Sequence, residues 1–119
     1  MINGQVFYIE VADNPVLLTR GLSGHAPLST NEGMLFVFNK LGDYGIWMKD
    51  RTFPIDIVWI DQDNKVVHIE KSVSPKTYPK VFHSTSDSLY VLETASGEAN
   101  RINLKNGDSI EFLKNSPRK

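Results

Sequence analysis

The spacing of hydrophobic and polar positions predicts that the chain is built mainly from short strands. In "QVFYIEVA" (5–12), apolar residues recur at every second position from Phe7 to Val11, as in a half-buried strand. "GMLFVF" (33–38) is an uninterrupted apolar run, typical of a strand that is buried on both faces. Further strands are predicted in "GIWMK" (45–49), "IDIVWID" (55–61), "VVHIEK" (66–71), "SLYVLETA" (88–95) and "DSIEFL" (108–113).

One segment, "DNPVLLTRGLSG" (13–24), predicts a helix of about two turns. Asp13 or Asn14 can cap its start, Pro15 suits the first helical position, and Gly21 can end it. Between residues 71 and 88, prolines and small polar residues indicate a long ordered loop. The fold class predicted is mainly β: an antiparallel β-sandwich or a jelly-roll-like distorted barrel with one short N-terminal helix. Crossover helices for a parallel sheet are not apparent.

Composition limits the function classes. A chain of 119 residues is predicted to form one domain, residues 1–119, and we expect a monomer. With 13 basic and 14 acidic residues, the net charge of −1 argues against binding of nucleic acid. The absence of cysteine excludes thiol catalysis, thiolate metal ligands and disulfides. No apolar stretch is long enough to span a bilayer, no signal-peptide pattern is present, and the basic "LKNSPRK" end is expected to be solvated.

Charged residues stand inside two of the predicted strands. In "IDIVWID" the alternation places Asp56 on the same face as Val58 and Ile60, so its carboxylate is expected to be largely desolvated. If residues 45–61 form a hairpin, Lys49 lies close to Asp56. Glu93 is likewise an acidic residue inside a predicted strand. A buried charge requires a partner, so a Lys49 ion pair with Asp56 or Glu93 is predicted. Such a pair fits a structural role and a ligand-binding role equally well.

Other chemical signals are weaker. The three histidines show no metal-binding spacing, so no metal site and no cofactor are predicted. No serine stands in a nucleophile motif. Asp56 and Glu93 could form a carboxylate pair of the glycosidase type, which requires both at one cleft. Aromatic residues could floor a sugar-binding groove or fill the core; they are Trp47, Trp59, Tyr44, Tyr78 and Tyr90.

Several separated motifs resemble one known family. "GLSGHAPLSTNEGMLFVF", "WMKDRTFPIDIVWID", "YVLETASG" and "NGDSI" are similar, in order and spacing, to the DUF192 family, also called UPF0127. The resemblance covers about residues 7–112 and implies a β-sandwich or jelly-roll-like fold, with no established activity. Many relatives carry a signal or lipid anchor, which implies an exported or cell-envelope protein. Ser23 and His25 replace the usual Met and Arg after "GL", and Asp50 and Arg51 replace Asn-Thr after "WMK". The role of the family arginine therefore falls to His25, to Arg51 or to neither.

Two functions follow as hypotheses. The first is a non-enzymatic module of the cell envelope that binds a partner or a small polar, saccharide-like ligand, and the missing nucleophile, metal and cofactor motifs favour it. The alternative is a small hydrolase or lyase that uses Asp56 or Glu93 with Lys49. The ligand-binding candidates are Lys49, Asp56, Glu93, Trp47, His25 and Arg51.

Overall fold

The computed structural model describes residues 1–113, and residues 114–119, which include most of the basic "LKNSPRK" segment, lie outside the described part. The strands are β1 (Tyr8–Ala12), β2 (Glu32–Gly42), β3 (Ile46–Trp47), β4 (Ile55–Ile60), β5 (Val66–Val73), β6 (Val81–Phe82) and β7 (Ser88–Ala95). Two short α-helices, α1 (Pro15–Arg20) and α2 (Glu98–Arg101), and one 3₁₀ helix (Pro75–Thr77) complete the described elements. The prediction of a mainly β fold is confirmed.

The strands form an open five-stranded sheet in the order β1-β2-β7-β4-β5 and a separate two-stranded ribbon, β3-β6. The sheet is mixed. β1 runs parallel to β2, whereas the pairs β2–β7, β7–β4 and β4–β5 are antiparallel. The prediction of a purely antiparallel arrangement was therefore wrong. A parallel pair needs a crossover of about a dozen residues or more, and residues 13–31, with α1 at their start, provide one.

Helix α1 follows the predicted signals. Asn14 accepts a hydrogen bond from the backbone N–H of Leu17 at 3.0 Å, Pro15 occupies the first turn, and Gly21 caps the C-terminus. Gly21 has φ +50°, a conformation that glycine adopts without the steric penalty of a side chain. The helix is short, and its end at Gly21 brings the following loop over the sheet.

Residues of β2, β7 and β4 alternate between the two faces of the sheet, and both faces are covered. We call the face that packs against the ribbon the ribbon face; its core contains Met34, Phe36, Ile57, Trp59 and Val91, together with Ile46 and Phe82 of the ribbon. We call the other face the α2 face; its core contains Leu35, Val58, Ile60, Leu92 and Ala99. All six residues of β4 are buried, as expected of a strand with core on both sides.

Three predicted elements differ from the structure. The segment "DSIEFL" contributes only isolated bridges at Ser109 and Ile110, not a strand. The predicted loop between 71 and 88 contains the last part of β5, the 3₁₀ helix and β6. Most important for the site, β3 pairs with β6 and not with β4, so residues 45–61 do not form a hairpin. Met48 is buried, whereas the neighbouring Trp47 is exposed and does not fill the core.

Candidate functional site

A buried ion pair lies at the centre of the ribbon face. Glu93 of β7 stands between Met34 of β2 and Ile57 of β4, and its side chain is 0% exposed. Its Oε1 accepts a hydrogen bond from Nη1 of Arg51 at 2.8 Å, and the Arg51 side chain is only 7% exposed. An ion pair at Glu93 is thus present, but its cation is Arg51 and not the predicted Lys49.

The pair leaves two polar atoms without a hydrogen-bond partner among the described residues, Oε2 of Glu93 and Nε of Arg51. Burial raises the pKa of Glu93, and the charge and hydrogen bond of Arg51 act against that rise. A buried donor or acceptor without a partner costs free energy. The packing of the surrounding fold offsets this cost. It combines two charges with spare hydrogen-bonding capacity inside an apolar face.

Two loops position Arg51. Its backbone N–H donates to the carbonyl of Met48, which closes a tight turn whose third residue, Asp50, has φ +58°. The hydroxyl of Ser23 donates to the carbonyl of Lys49 at 3.1 Å and ties this turn to the loop after α1. Gly21 lies so close that a Cβ there would stand 2.9 Å from Nη2 of Arg51. The family resemblance implied an arginine after "GL", whose role falls here to His25, to Arg51 or to neither. In the structure, the guanidinium of Arg51 packs against Gly21.

Gly21→Ala is expected to destabilise the fold by about 1 to 3 kcal/mol, since the new Cβ adds backbone strain and would crowd Nη2 of Arg51 at 2.9 Å and the Phe36 ring at 3.0 Å. Gly24→Ala is the matched control, because Gly24 also has positive φ (+69°) but a Cβ there would meet nothing within 4 Å. Chemical denaturation of both variants measures the difference. Equal losses in the two variants would show that crowding of Arg51 and Phe36 contributes nothing.

Asp56 lies on the α2 face and is a structural anchor. Its Oδ1 accepts from the backbone N–H of Ser72, and its Oδ2 accepts from the backbone N–H of Ala99, both at 2.8 Å. Ala99 is in the first turn of α2, where a carboxylate is favoured by the free N–H groups and the helix dipole. Asp56 is 1% exposed, which confirms the predicted burial. Both carboxylate oxygens hold backbone groups.

The predicted Lys49–Asp56 ion pair is not formed. Lys49 is exposed, and within residues 1–113 no ion pair joins it to either carboxylate. The prediction depended on a hairpin between β3 and β4. Since β3 pairs with β6 instead, Lys49 is not placed opposite Asp56 by strand pairing.

Asp56 and Glu93 also lie on opposite faces of the same sheet. In the β4–β7 register Asp56 is opposite Thr94, whereas Glu93 is opposite Ile57. Paired residues project to the same side and successive residues to opposite sides, so the sheet separates the two carboxylates. They do not face one cleft, as a glycosidase-type pair requires.

An aromatic surface lies on the outer side of the ribbon. Trp47 of β3 is 42% exposed and Tyr78 is 44% exposed, with their ring centroids 5.2 Å apart at an interplanar angle of 57°. Nζ of Lys49 lies 5.8 Å from the Trp47 ring centroid, within the range of a cation–π contact. Two of the predicted ligand-binding residues, Trp47 and Lys49, are therefore brought together here, and Tyr78 joins them. Trp59, by contrast, is fully buried and donates its indole N–H to the Tyr44 carbonyl.

His25 lies in the loop after α1 and contacts Glu10 of β1. Its Nε2 is 2.7 Å from a Glu10 carboxylate oxygen, and its Nδ1 faces the carbonyl of Ala26. Both partners are acceptors, so the arrangement suits an imidazolium that donates from both nitrogens. The Ala26 carbonyl and then Glu10 raise the pKa of His25. His25 ties this loop to the sheet edge and does not reach Glu93.

The contacts that sequence reasoning missed are long-range ones. Glu10, the partner of His25, is 15 positions away from it in the sequence. The backbone N–H groups that bind Asp56 belong to residues 16 and 43 positions away. One signal was available, since "SGEANR" places Gly97 before an acidic residue and a helix-forming alanine, as at the start of a helix. That signal would have located α2, although not its contact with Asp56.

Comparison with known proteins gives a family and a fold. The DUF192 family, described as "Uncharacterized ACR, COG1430", matches residues 1–112. A crystal structure from Sinorhizobium meliloti 1021, described as that of a proposed transcription regulator, is similar with a TM-score of 0.84 and 28% identity, covering 88% of this chain and 81% of that one. A protein of unknown function from Novosphingobium aromaticivorans DSM 12444 is similar with a TM-score of 0.84 and 29% identity, covering 89% and 75%. No curated protein matches the sequence. The chain belongs to the DUF192 family.

Proposed function

We propose that the chain is a non-enzymatic binding module and that a small polar, saccharide-like ligand packs on the surface formed by Trp47, Tyr78 and Lys49. The observation that carries this proposal is the exposure of two large aromatic rings, 5.2 Å apart, beside a lysine. Aromatic side chains offer flat apolar area with little conformational freedom to lose, which favours recognition of a ring with both C–H and O–H groups. The lysine would orient an electronegative substituent of that ring.

The buried Arg51–Glu93 pair supports this site indirectly. It fixes the turn from Met48 to Arg51, and Lys49 stands in that turn beside Trp47. A binding surface set on ordered elements loses less entropy when a ligand binds. We therefore assign Arg51 and Glu93 to positioning of the surface and not to contact with the ligand.

The alternative, a hydrolase or lyase that uses Asp56 or Glu93 with Lys49, has less support. Asp56 has both oxygens engaged by backbone N–H groups, and Glu93 is fully buried beneath Arg51. Neither carboxylate is positioned to exchange a proton with a substrate in contact with Lys49.

Trp47→Ala is expected to weaken binding of a saccharide about 30-fold, the loss typical of an aromatic anchor worth about 2 kcal/mol. The protein is screened on a glycan array, and the strongest glycan is then titrated calorimetrically into the parent and the variants. Leu41→Ala is the matched control, because Leu41 is an apolar residue of similar exposure (41%) on β2. Binding that is unchanged in Trp47→Ala, or an array without any bound glycan, would reject the proposed surface.

Several wider features belong to the same proposal. The sandwich arrangement implied by the family is supported by Ile46 and Phe82 of the ribbon, which share a core with Phe36 and Trp59 of the sheet. A location in the cell envelope rests on the family resemblance.

We also propose a monomer that does not bind nucleic acid: the net charge of −1 supports this even though one similar structure is described as a transcription regulator. In the described part, no helix is long and apolar enough to cross a membrane.

A further inference from the structure

We propose that the ligand of the Trp47 surface is an acidic saccharide, a sugar that carries a carboxylate, which rests on the proposed function and adds the charge of the ligand to it. Lys49 binds the carboxylate, and the sugar ring packs on Trp47 and Tyr78. Two properties of the described residues support this ligand class. They are the shape of the apolar floor and the charge around it.

The pairing of β3 with β6 sets the apolar floor of the surface. Trp47 is paired with Val81, and the adjacent pair of the ribbon is Ile46 with Phe82. Paired residues project to the same side and successive residues to opposite sides. Ile46 and Phe82 lie in the core of the ribbon face, so Trp47 and Val81 project outward, where they are 42% and 43% exposed. Tyr78 extends this floor beside Trp47.

The shape of the floor favours a sugar over a planar ligand. The rings of Trp47 and Tyr78 meet at 57°, with centroids 5.2 Å apart. A planar base can stack flat on one of these rings only, whereas a puckered sugar ring directs C–H groups towards both. Val81 adds aliphatic area next to Trp47. The floor therefore supplies apolar contacts to a saccharide unit.

The charge around the floor is positive. In segments 46–51 and 75–82, which contain the two strands of the ribbon, the exposed charged residues are Lys49, Asp50, Lys76 and Lys80. The remaining charge in these segments, that of Arg51, is neutralised in the buried ion pair. Three positive charges against one negative charge stand on a chain whose net charge is −1, so the positive potential is local. A complementary ligand is anionic.

Lys49 is the cation at the floor itself. Its Nζ lies 5.8 Å from the Trp47 ring centroid, and it forms no ion pair within residues 1–113. Its three N–H donors are therefore free for a ligand. One ammonium matches the charge of one carboxylate, whereas a phosphate is matched better by several donors or by the fork of an arginine. Lys80 differs, because its Nζ lies 4.8 Å from the ring centroid of the inward-facing Phe82.

The test compares trigalacturonate with its trimethyl ester, which has the same sugar rings and no charge. In calorimetric titration into the 119-residue chain, trigalacturonate should bind about fivefold more tightly than the ester, the effect of about one exposed ion pair. NaCl at about 0.5 M should remove most of this preference, because salt screens exposed charges. Triglutamate, a peptide of the same net charge without a sugar ring, should bind at least about tenfold more weakly than trigalacturonate.

Lys49→Met should weaken binding of trigalacturonate about fivefold and leave binding of the ester unchanged. Lys49→Glu should make the ester the tighter ligand of the two, since it reverses the charge at the floor. Lys80→Met is the matched control and should change either affinity less than about twofold, because Lys80 is an exposed lysine of the same ribbon that packs over Phe82. Circular dichroism verifies that each variant is folded.

Four results would overturn the acidic ligand class. They are equal affinity for trigalacturonate and its ester, equal losses in Lys49→Met and Lys80→Met, binding of triglutamate as tight as that of trigalacturonate, and no binding of trigalacturonate. The proposed function is judged separately: it stands if a neutral glycan binds and Trp47→Ala weakens that binding. It fails together with the acidic ligand class if Trp47→Ala leaves the binding of every glycan unchanged.

Discussion

Arg51→Met should lower the free energy of unfolding by about 3 to 5 kcal/mol, because it leaves the Glu93 carboxylate buried without its cation. Glu93 is 0% exposed, and among residues 1–113 its carboxylate forms a hydrogen bond only with Nη1 of Arg51. The neighbours on adjacent strands, Met34 and Ile57, offer no charge to replace that partner. Chemical denaturation at neutral pH measures the loss.

The loss should depend on pH in one direction. Burial already raises the pKa of Glu93, and Arg51→Met removes the group that acts against this rise. A carboxyl group with a folded pKa above its unfolded value stabilises the fold below the unfolded pKa, and this contribution is lost as the pH rises through the folded pKa. The deficit of Arg51→Met relative to the parent should therefore shrink as the pH is lowered towards the usual range of glutamate. A deficit independent of pH would argue that lost packing, not a stranded charge, explains the result.

Two further variants isolate the pair. Arg51→Met combined with Glu93→Leu removes both charges and should recover much of the stability, since an apolar pair of similar volume often replaces a buried ion pair at little cost. Lys49→Met removes a nearby exposed cation and should change stability by less than about 0.5 kcal/mol. If Lys49→Met were as damaging as Arg51→Met, the assignment of Arg51 as the cation for Glu93 would be wrong.

Asp56→Ala is expected to cost about 3 to 5 kcal/mol for a different reason. Its two oxygens accept hydrogen bonds from the backbone N–H groups of Ser72 and Ala99, and each bond to a charged acceptor contributes about 1.5 to 3 kcal/mol. The alanine variant leaves the buried N–H of Ala99 without an acceptor at the first turn of α2. Thermal or chemical denaturation gives the size of the effect.

The controls separate this anchor from an ion pair. Asp56→Asn keeps one acceptor oxygen and should lose less stability than Asp56→Ala. Adding Lys49→Met to Asp56→Leu should give no recovery, because Lys49 is not the partner of Asp56. Hydrogen exchange should report earlier opening at Ala99 and Ser72 than at β7 in Asp56→Ala. Recovery in the double variant, or a loss below about 1 kcal/mol, would contradict the anchoring role.

The sequence by itself determined the local elements and the alternation of faces. Asn14, Pro15 and Gly21 specify α1 because capping and backbone preferences act within a few residues. The period-two pattern of "IDIVWID" assigned Ile57 and Trp59 to one face and Asp56 to the other, and it predicted that Asp56 is buried. A buried charge must have a partner, so the existence of contacts at Asp56 and Glu93 also followed from the sequence.

Only the tertiary structure decided which partners these are. Strand alternation defines faces but not neighbours, because pairing depends on which strands meet across long stretches of chain. The pairing of β3 with β6 exposes Trp47 and takes Lys49 away from Asp56, and the β4–β7 register puts Asp56 and Glu93 on opposite faces. The parallel crossover from β1 to β2 brings the loop after α1 to the turn that carries Arg51. These are contacts between residues distant in sequence, whose formation depends on the packing of the whole sheet and not on any local pattern.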